Sequence, residues 1–381
     1  MSTVISTLPR AKPSAGQTSG PWFAQLLASA DIHLNGSRTW DIQIKHPHTL
    51  SRIMREGSLG LGESYMDGWW ECPAIDQMMT RMLRARLHEH LGTPRAHLHS
   101  WLTQWTKRLP VGHSRIVGRA QYAFSNQLFA AMLDASMSHG SACWDEGATS
   151  LKEAQEAKMA QICSKLKLQP GMRLLDIGCG WGSFLRYAAK HHGVQAVGLT
   201  HSPAQMHSGQ SLSQSLPVQI EVADFRHFNT DGRSRFDVVV SLGLLNTSVQ
   251  SNNTAFFAAA RRSLKKDGVL LLETMGNNQH GQLLQAWLEK HILGQAPLPS
   301  LGELSEHAQP HFVIEDVHNM GIDHDRTLLA WHQRFEAAWP QLRLAYDERF
   351  YRMWRYHLLA SAGSFRACST QIWQMCMTPK G

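Results

Sequence analysis

An acid and three alternating glycines stand together in Gly171 to Gly182, which reads GMRLLDIGCGWG. Leu174, Leu175, Asp176 and Ile177 make a run of the length of a buried parallel strand, and Gly178, Gly180 and Gly182 follow it. The expected product is a strand, a tight turn and a helix start. Glycine lets backbone approach a ligand closely, and the N–H groups of the following helix face whatever sits there. The chemistry of such a turn is the holding of a nucleotide-type ligand.

The spacing narrows the ligand. A nicotinamide enzyme carries G-x-G-x-x-G and an acid about 20 residues further on to hold a ribose. This chain has G-x-G-x-G instead, and no Asp or Glu occurs from Ser183 to Ile220. An acid ahead of G-x-G-x-G is the spacing of S-adenosylmethionine (SAM) methyltransferases.

Other elements must position that turn. Strands are expected at Arg173 to Ile177, Gln195 to Leu199, Val218 to Ala223, Phe236 to Ser241 and Gly268 to Thr274, with helices at Ser183 to His192 and Pro203 to Ser215. The alternation predicts an α/β fold, a doubly wound, Rossmann-like SAM-dependent methyltransferase domain. Ligands of such sheets bind beyond the carboxyl ends of the strands, so the turns after Ile177, Leu199, Ala223, Ser241 and Leu272 line one site. Ahead of the sheet come a helical pattern at Tyr122, Phe124, Leu128, Phe129 and Met132, a polar loop at Ser136 to Gly147 and a helix over Leu151 to Leu166.

The N-terminal part is built differently. Met1 to Ser19 is polar and reads as a disordered tail. Residues 20–110 read as a smaller, mainly helical domain that meets lipid or substrate, and 111–381 as the methyltransferase domain, with the boundary near Leu109 to Val117. In the first of these, Trp22, Phe23, Leu26 and Leu27 have helical spacing, Trp40 to Ile44 alternates like a strand, and Glu56 to Cys72 reads as a shaped loop. A helix over Ile75 to Leu91 carries Met78, Met79, Met82 and Leu83 beside Arg81, Arg84 and Arg86. That stripe suits either a lipid surface or, with greater weight, a protein core. Gly92 to Gly118 reads as a connector with a short helix at Trp101 to Leu109.

Composition bounds the rest. The chain has 381 residues, 43% of them hydrophobic, enough for a large core. Cys72, Cys143, Cys163, Cys179, Cys368 and Cys376 lack C-x-x-C spacing, which argues against a disulfide framework or a metal site and for a reducing, cytoplasmic setting. A formal charge of +7 favours anionic surfaces, acidic lipid or nucleic acid, but no nucleic-acid motif is present. No apolar stretch of about 18 residues is long enough to span a bilayer.

Taken together, LLDIGCGWG, VGLTHSPAQ at Val197 to Gln205, EGSLGLGESYMDGWWEC at Glu56 to Cys72, EHAQPHFVIED at Glu306 to Asp316, AGSFRA and QIWQ resemble the cyclopropane fatty acid synthase family, from about Ile32 to Trp373. The resemblance implies a SAM-dependent enzyme that transfers a methyl(ene) group to a cis alkene of a phospholipid acyl chain. It also implies a homodimer and a peripheral membrane association. By matching motifs, Asp176, Gly178, Cys179 and Gly180 border the methionine part of SAM, with His139 and Gly140 beside them. Thr200 and Gln205 reach the ribose region, and Asp224 and Phe225 hold and cover the adenine. The plainer readings are helix caps for Thr200 and Gln205 and core packing for Phe225.

The alkene-facing half departs from the family. Its members use a bound bicarbonate as base, held by Cys, Glu, His and Tyr. The family's YSCAYW is HGSACW here, so His139, Gly140 and Ser141 replace Tyr, Ser and Cys. Asn246 stands for the Glu, Glu273 for the His, His324 for the Tyr and Ser361 for a further Cys; Gln121, Tyr122 and Ala123 stand for HYD. A gained carboxylate at 273 predicts poor bicarbonate binding, since like charges repel in a low-dielectric site. Glu273, with His324, then becomes the built-in base, or else pairs with an arginine outside the pocket. Three outcomes follow: cyclopropanation with a protein base, loss of the proton from another carbon to give a methylated or rearranged alkene of a specialised metabolite, or a silent lipid- or SAM-binding partner of a synthase.

Overall fold

A computed structural model describes residues 19–87, 124–144, 147–228, 235–247, 251–278, 285–293 and 298–381. Two compact units divide the chain. One combines Met1–Gly112 with Gly281–Ile292 and Trp339–Ser369; the other combines His113–His280, Leu293–Ala338 and Thr370–Gly381. A linear division at residues 110 and 111 therefore misses two later segments that pack with the first unit. The expected tail before Ser19, the connector and its helix, and the boundary near Leu109 all lie outside the described residues.

In the first unit, strands β1 (Gln43–Ile44) and β2 (Trp70–Glu71) form a small antiparallel pair, shorter than the strand expected from Trp40. Glu56 to Cys72 is not a shaped loop: Ser58–Met66 is a helix leading into β2. Its glycines serve close packing rather than looping. A Cβ on Gly60 would lie 2.6 Å from the Arg52 carbonyl oxygen, and one on Gly62 would lie 2.3 Å from Cδ1 of Trp287. The methionine stripe of helix Ile75–Arg84 is core as well, with Met78, Met79 and Met82 fully buried. A Cβ on Gly363, in helix Glu348–Arg366, would lie 2.9 Å from the Met79 Cβ, and Thr80 Oγ1 donates to the Gly363 carbonyl oxygen (3.3 Å). That face is closed by protein, so the lipid reading of the stripe is withdrawn.

The second unit is built on one sheet: β3 (Arg173–Ile177), β4 (Gln195–Thr200), β5 (Val218–Val222), β6 (Phe236–Leu242), β7 (Leu264–Asn277), β8 (Phe312–Asn319) and β9 (Thr370–Pro379), in the order β5-β4-β3-β6-β7-β9-β8. The first five of that order run parallel, and β9 runs antiparallel to both β7 and β8. The doubly wound α/β expectation holds, with the order reversing between β3 and β6. Neighbours in sequence explain why. Leu175, Ile177, Val239, Leu270 and Leu272 join one core with Phe256 and Phe257, while Leu174, Val238, Val240 and Leu271 join another with Ile162, Phe184 and Leu185. Side chains alternate across a strand, so a continuous apolar run demands cover on both faces. Helix Ser183–His192 supplies part of that cover, and a left-handed glycine flanks it at each end, Gly182 and Gly193. The helix after β4 ends at Leu212 rather than Ser215, and β7 extends well beyond Gly268 to Thr274.

Candidate functional site

The turn after β3 has the geometry its glycines require. Gly178, Gly180 and Gly182 have φ of 91°, 56° and 73°, where L side chains are strained. The Gly178 and Cys179 N–H groups both donate to the Leu199 carbonyl oxygen (2.9 Å each), and Ser241 Oγ donates to the Ile177 carbonyl oxygen (2.8 Å). These bonds pin the turn between β4 and β6. A Cβ on Gly178 would lie 2.8 Å from that of Leu244, whereas one on Gly180 would meet nothing within 4 Å. Gly180 therefore borders open space.

Asp176 stands on β3 two residues before Gly178. It is buried, its Oδ1 has no hydrogen-bond partner, and burial pushes its carboxyl up to about 7 against the pull of the Lys158 ammonium. An orphaned buried acceptor beside a left-handed glycine turn calls for a ligand that brings its own donors, and SAM, with an ammonium and ribose hydroxyls, fits it.

Thr200 and Gln205 bond each other, Oγ1 to Oε1 at 2.9 Å, while the helix cap falls to Ser202. Neither of them is the cap. Asp224 accepts from the backbone N–H (2.9 Å) and Nε (3.0 Å) of Arg226, which holds its carboxyl below the ordinary range. Phe225 is buried in the core, edge-on to Phe256. Asp224 is thus engaged on its own turn, and Phe225 takes the packing role.

The HGSACW loop is clamped from two sides. Ser138 Oγ donates to Gln155 Oε1 (2.8 Å), Gln155 Nε2 donates to the Gly140 carbonyl oxygen (3.0 Å), and both bonds tie it to helix Leu151–Lys165. The Ala142 and Trp144 N–H groups donate to Thr327 Oγ1 (3.0 Å) and Asp323 Oδ1 (2.8 Å) of helix Gly321–Leu342. Ser141 is fully buried and its hydroxyl donates to the Ala142 carbonyl oxygen (3.2 Å). His139 stacks on Trp331 at 5.1 Å, and His324 meets the same indole edge-on at 5.8 Å. Desolvation by the surrounding protein, then the Lys158 ammonium, holds the His139 imidazole at about 4. It is neutral at pH 7.

Glu273 lies at the heart of the arrangement. Its carboxylate Oε1 pairs with Lys158 Nζ at 3.1 Å, with side chains 1% and 3% exposed, and Gln374 Nε2 reaches Oε2 at 3.4 Å. A Cβ on Gly140 would lie 2.9 Å from Lys158 Nζ and 3.1 Å from Glu273 Oε1. The glycine makes room for the pair. Removing one partner of such a buried pair typically costs about 3–5 kcal/mol, because the other charge is left uncompensated.

Sequence reasoning missed Lys158, and an arginine outside the pocket is not Glu273's partner. The signal was present: Leu151, Ala154, Gln155, Lys158, Met159, Ile162 and Cys163 form the buried stripe of one helix, and the lysine interrupts it. The charge count must be corrected accordingly. The Lys158–Glu273 pair is neutral, so repulsion alone does not exclude bicarbonate; an incoming anion instead finds the ammonium already paired.

The strand ends bring these residues together. The Gly243 N–H donates to the Glu273 carbonyl oxygen (2.9 Å), joining the ends of β6 and β7. Asn246 follows on the short turn Leu244–Thr247 at the carboxyl end of β6, with its side chain outside the described residues. Ser361 belongs to helix Glu348–Arg366 of the first unit, and residues 121–123 lie outside the described residues. Among the described residues no group of His, Cys, Asp or Glu is placed to hold a metal, and no helix is long and apolar enough to cross a membrane.

Comparison with known proteins agrees with this geometry. The family model for mycolic acid cyclopropane synthetase matches residues 112–375. The cyclopropane-fatty-acyl-phospholipid synthase of Escherichia coli (strain K12) is 42% identical over 355 residues, covering 92% of this chain and 91% of that one. The tuberculostearic acid methyltransferase UfaA1 of Mycobacterium tuberculosis is 28% identical over 363 residues, covering 89% and 83%. Among solved structures, the mycolic acid cyclopropane synthase CmaA1 complexed with SAH and CTAB superposes with a TM-score of 0.65 at 27% identity, covering 71% of this chain and 99% of that one. With a SAM-type turn at the centre of its sheet and matches along most of its length, this chain belongs to the mycolic acid cyclopropane synthetase family of SAM-dependent methyltransferases.

Proposed function

We propose that this enzyme transfers a methyl(ene) group to a carbon–carbon double bond of an unsaturated phospholipid acyl chain, with Glu273 as the base that closes the ring. The observation that carries the reading is the buried Lys158–Glu273 pair beneath Gly140. SAM, when bound, supplies an electrophilic methyl carbon on a sulfur that keeps the electron pair of the broken bond. Asp176 and the glycine turn would hold it, and no nucleophile from the protein is needed.

The chain's own residues do the rest. The alkene π pair forms the new carbon–carbon bond, which leaves a cation on the acyl chain. Glu273 then accepts a proton from the added carbon, and that C–H pair closes the three-membered ring. Lys158 Nζ, 3.1 Å from Oε1, holds one oxygen of the carboxylate in place. Burial excludes water, which would otherwise trap the cation. His139, neutral and flat against Trp331, adds an apolar wall without a competing charge.

A second reading is favoured by that same ion pair. With Oε1 held by Lys158, only the other oxygen is left for the proton, and a carboxylate so restricted lets the proton leave another carbon, giving a methyl-branched chain. Product analysis separates the two. Purified protein with SAM and vesicles of monounsaturated phospholipid is expected to add one CH2 per chain as a cyclopropane; a methyl-branched alkene supports the second reading, and no mass gain overturns both. Glu273→Gln is expected to lower turnover by about 10²–10⁴-fold with SAM affinity unchanged. Retained turnover in that variant removes the base assignment. The homodimer and the contact with a bilayer surface belong to the same proposal, the latter supported by the +7 charge.

A further inference from the structure

Glu273 is held at both oxygens, and only one of the two holders is a charge. Antiparallel register sets Glu273 of β7 opposite Gln374 of β9, and Gln374 opposite His318 of β8. Directly paired residues of an antiparallel ladder show their side chains on the same face. Glu273, Gln374 and His318 therefore form one polar row across three strands of the sheet. Helix Leu151–Lys165 lies along that row. Lys158 and Lys165 are seven residues, two turns, apart, so they share a helix face.

Each lysine takes one end. Lys158 pairs with Glu273, and Lys165 Nζ donates to Gln374 Oε1 at 2.7 Å and lies 3.2 Å from His318 Nδ1 and 3.7 Å from Asp316 Oδ2. An ammonium only donates, so Gln374 must turn its oxygen toward Lys165 and its NH2 group toward Glu273. There Nε2 reaches Glu273 Oε2 at 3.4 Å and Met320 Sδ at 3.7 Å. Gln374 itself is fully buried.

We infer that Gln374, oriented by Lys165, is a positioning residue for the Glu273 carboxylate. The inference rests on Glu273 being the base. Lys158 fixes Oε1 and Gln374 fixes Oε2, so the carboxylate plane cannot rotate freely about its terminal bond. A buried glutamine facing a carboxylate gains its place from orientation: its amide contributes a dipole and a direction without adding charge to the neutral pair. Its loss leaves Oε2 unguided and the base poorly aimed at the proton it must take.

The test is a product-partition experiment on the full chain with SAM and monounsaturated phospholipid vesicles. Gln374→Met removes both amide bonds at similar length, and Lys165→Met removes the group that orients them from a partly exposed position. Both variants are expected to keep SAM affinity and KM within about twofold. Ring formation should fall about ten- to a hundredfold in Gln374→Met, as a misplaced catalytic group does, and less in Lys165→Met. The share of methylated but unclosed product should rise in both, a change that a merely structural role does not produce, and Lys165→Arg should restore the wild-type ratio. If Gln374→Met is unfolded in a thermal melt, the Lys165→Met and Lys165→Arg pair carries the test alone. A wild-type product ratio and kcat in folded Gln374→Met or, where that variant does not fold, in Lys165→Met, with Glu273→Gln inactive, overturns the positioning role and leaves the base assignment standing. An active Glu273→Gln overturns the base assignment, and the positioning role falls with it.

Discussion

At the scale of single residues, the site sets two shifted titrations against each other. Burial pushes Asp176 up to about 7 from an ordinary value near 3.8, so between those values the native state binds more protons than the unfolded chain. Its contribution to stability is present below pH 3.8 and is lost as pH rises through about 7. His139 runs the other way: held at about 4, it contributes above its ordinary 6.5 and loses that contribution as pH falls through about 4. Asp176→Asn removes only the first effect. Without SAM, this variant is expected to gain stability relative to wild type as pH is raised from 4 to 7, followed by thermal melts, while losing SAM affinity. A stability difference that stays constant across that window contradicts the burial argument.

Asp176 stands out in the sequence because the glycines follow it closely, and the structure leaves its Oδ1 without a hydrogen-bond partner. Lys158 does not stand out, since its partner Glu273 lies 115 positions away and a lysine on a helix is usually solvated. Only its place on an apolar stripe marked it.

At the scale of elements, the glycine-rich helix Ser58–Met66 shows how local preference is overruled. Glycine in a helix interior costs roughly 0.5–1 kcal/mol relative to alanine, so propensity argued for a loop. Gly62 remains because Trp287 packs where its Cβ would be, 2.3 Å from Cδ1. The ring belongs to a buried aromatic group with Tyr356, at 4.8 Å, and Tyr65. Gly62→Ala decides between the two effects. Propensity alone predicts stabilisation, while overpacking predicts a loss of about 1–3 kcal/mol, which is the expected result. A raised melting temperature for this variant shows that Trp287 yields easily and that the glycine has another purpose.

The same contrast explains the methionine stripe. Amphipathic spacing established that one face of helix Ile75–Arg84 is covered, but periodicity does not name the cover. The cover is helix Glu348–Arg366, nearly 300 positions later in the chain, where Gly363 admits Met79 and Arg366 pairs with Asp76 at 2.7 Å.

At the scale of the whole molecule, the proposed contact with a bilayer rests on the net charge of +7. Co-sedimentation with vesicles containing anionic phospholipid is expected to exceed that with neutral vesicles and to weaken as salt is raised. Equal binding to both at all salt concentrations removes charge as the means of contact.

The amino-acid sequence by itself determined the five parallel strands and the glycine turn, because these depend on short-range pattern: continuous apolar runs, and glycines where the backbone must be left-handed; its motifs carried the cofactor and the family, while β8 and β9 were not legible in it. Tertiary structure alone decided what surrounds the replaced residues. Glu273 reads in isolation as an added negative charge, and only the fold sets Lys158 beside it, leaves Gly140 bare above it and turns Gln374 toward it. Electrostatic character belongs to pairs and their burial, and residues 115 and 101 positions apart become a pair only when a helix is laid across three strands.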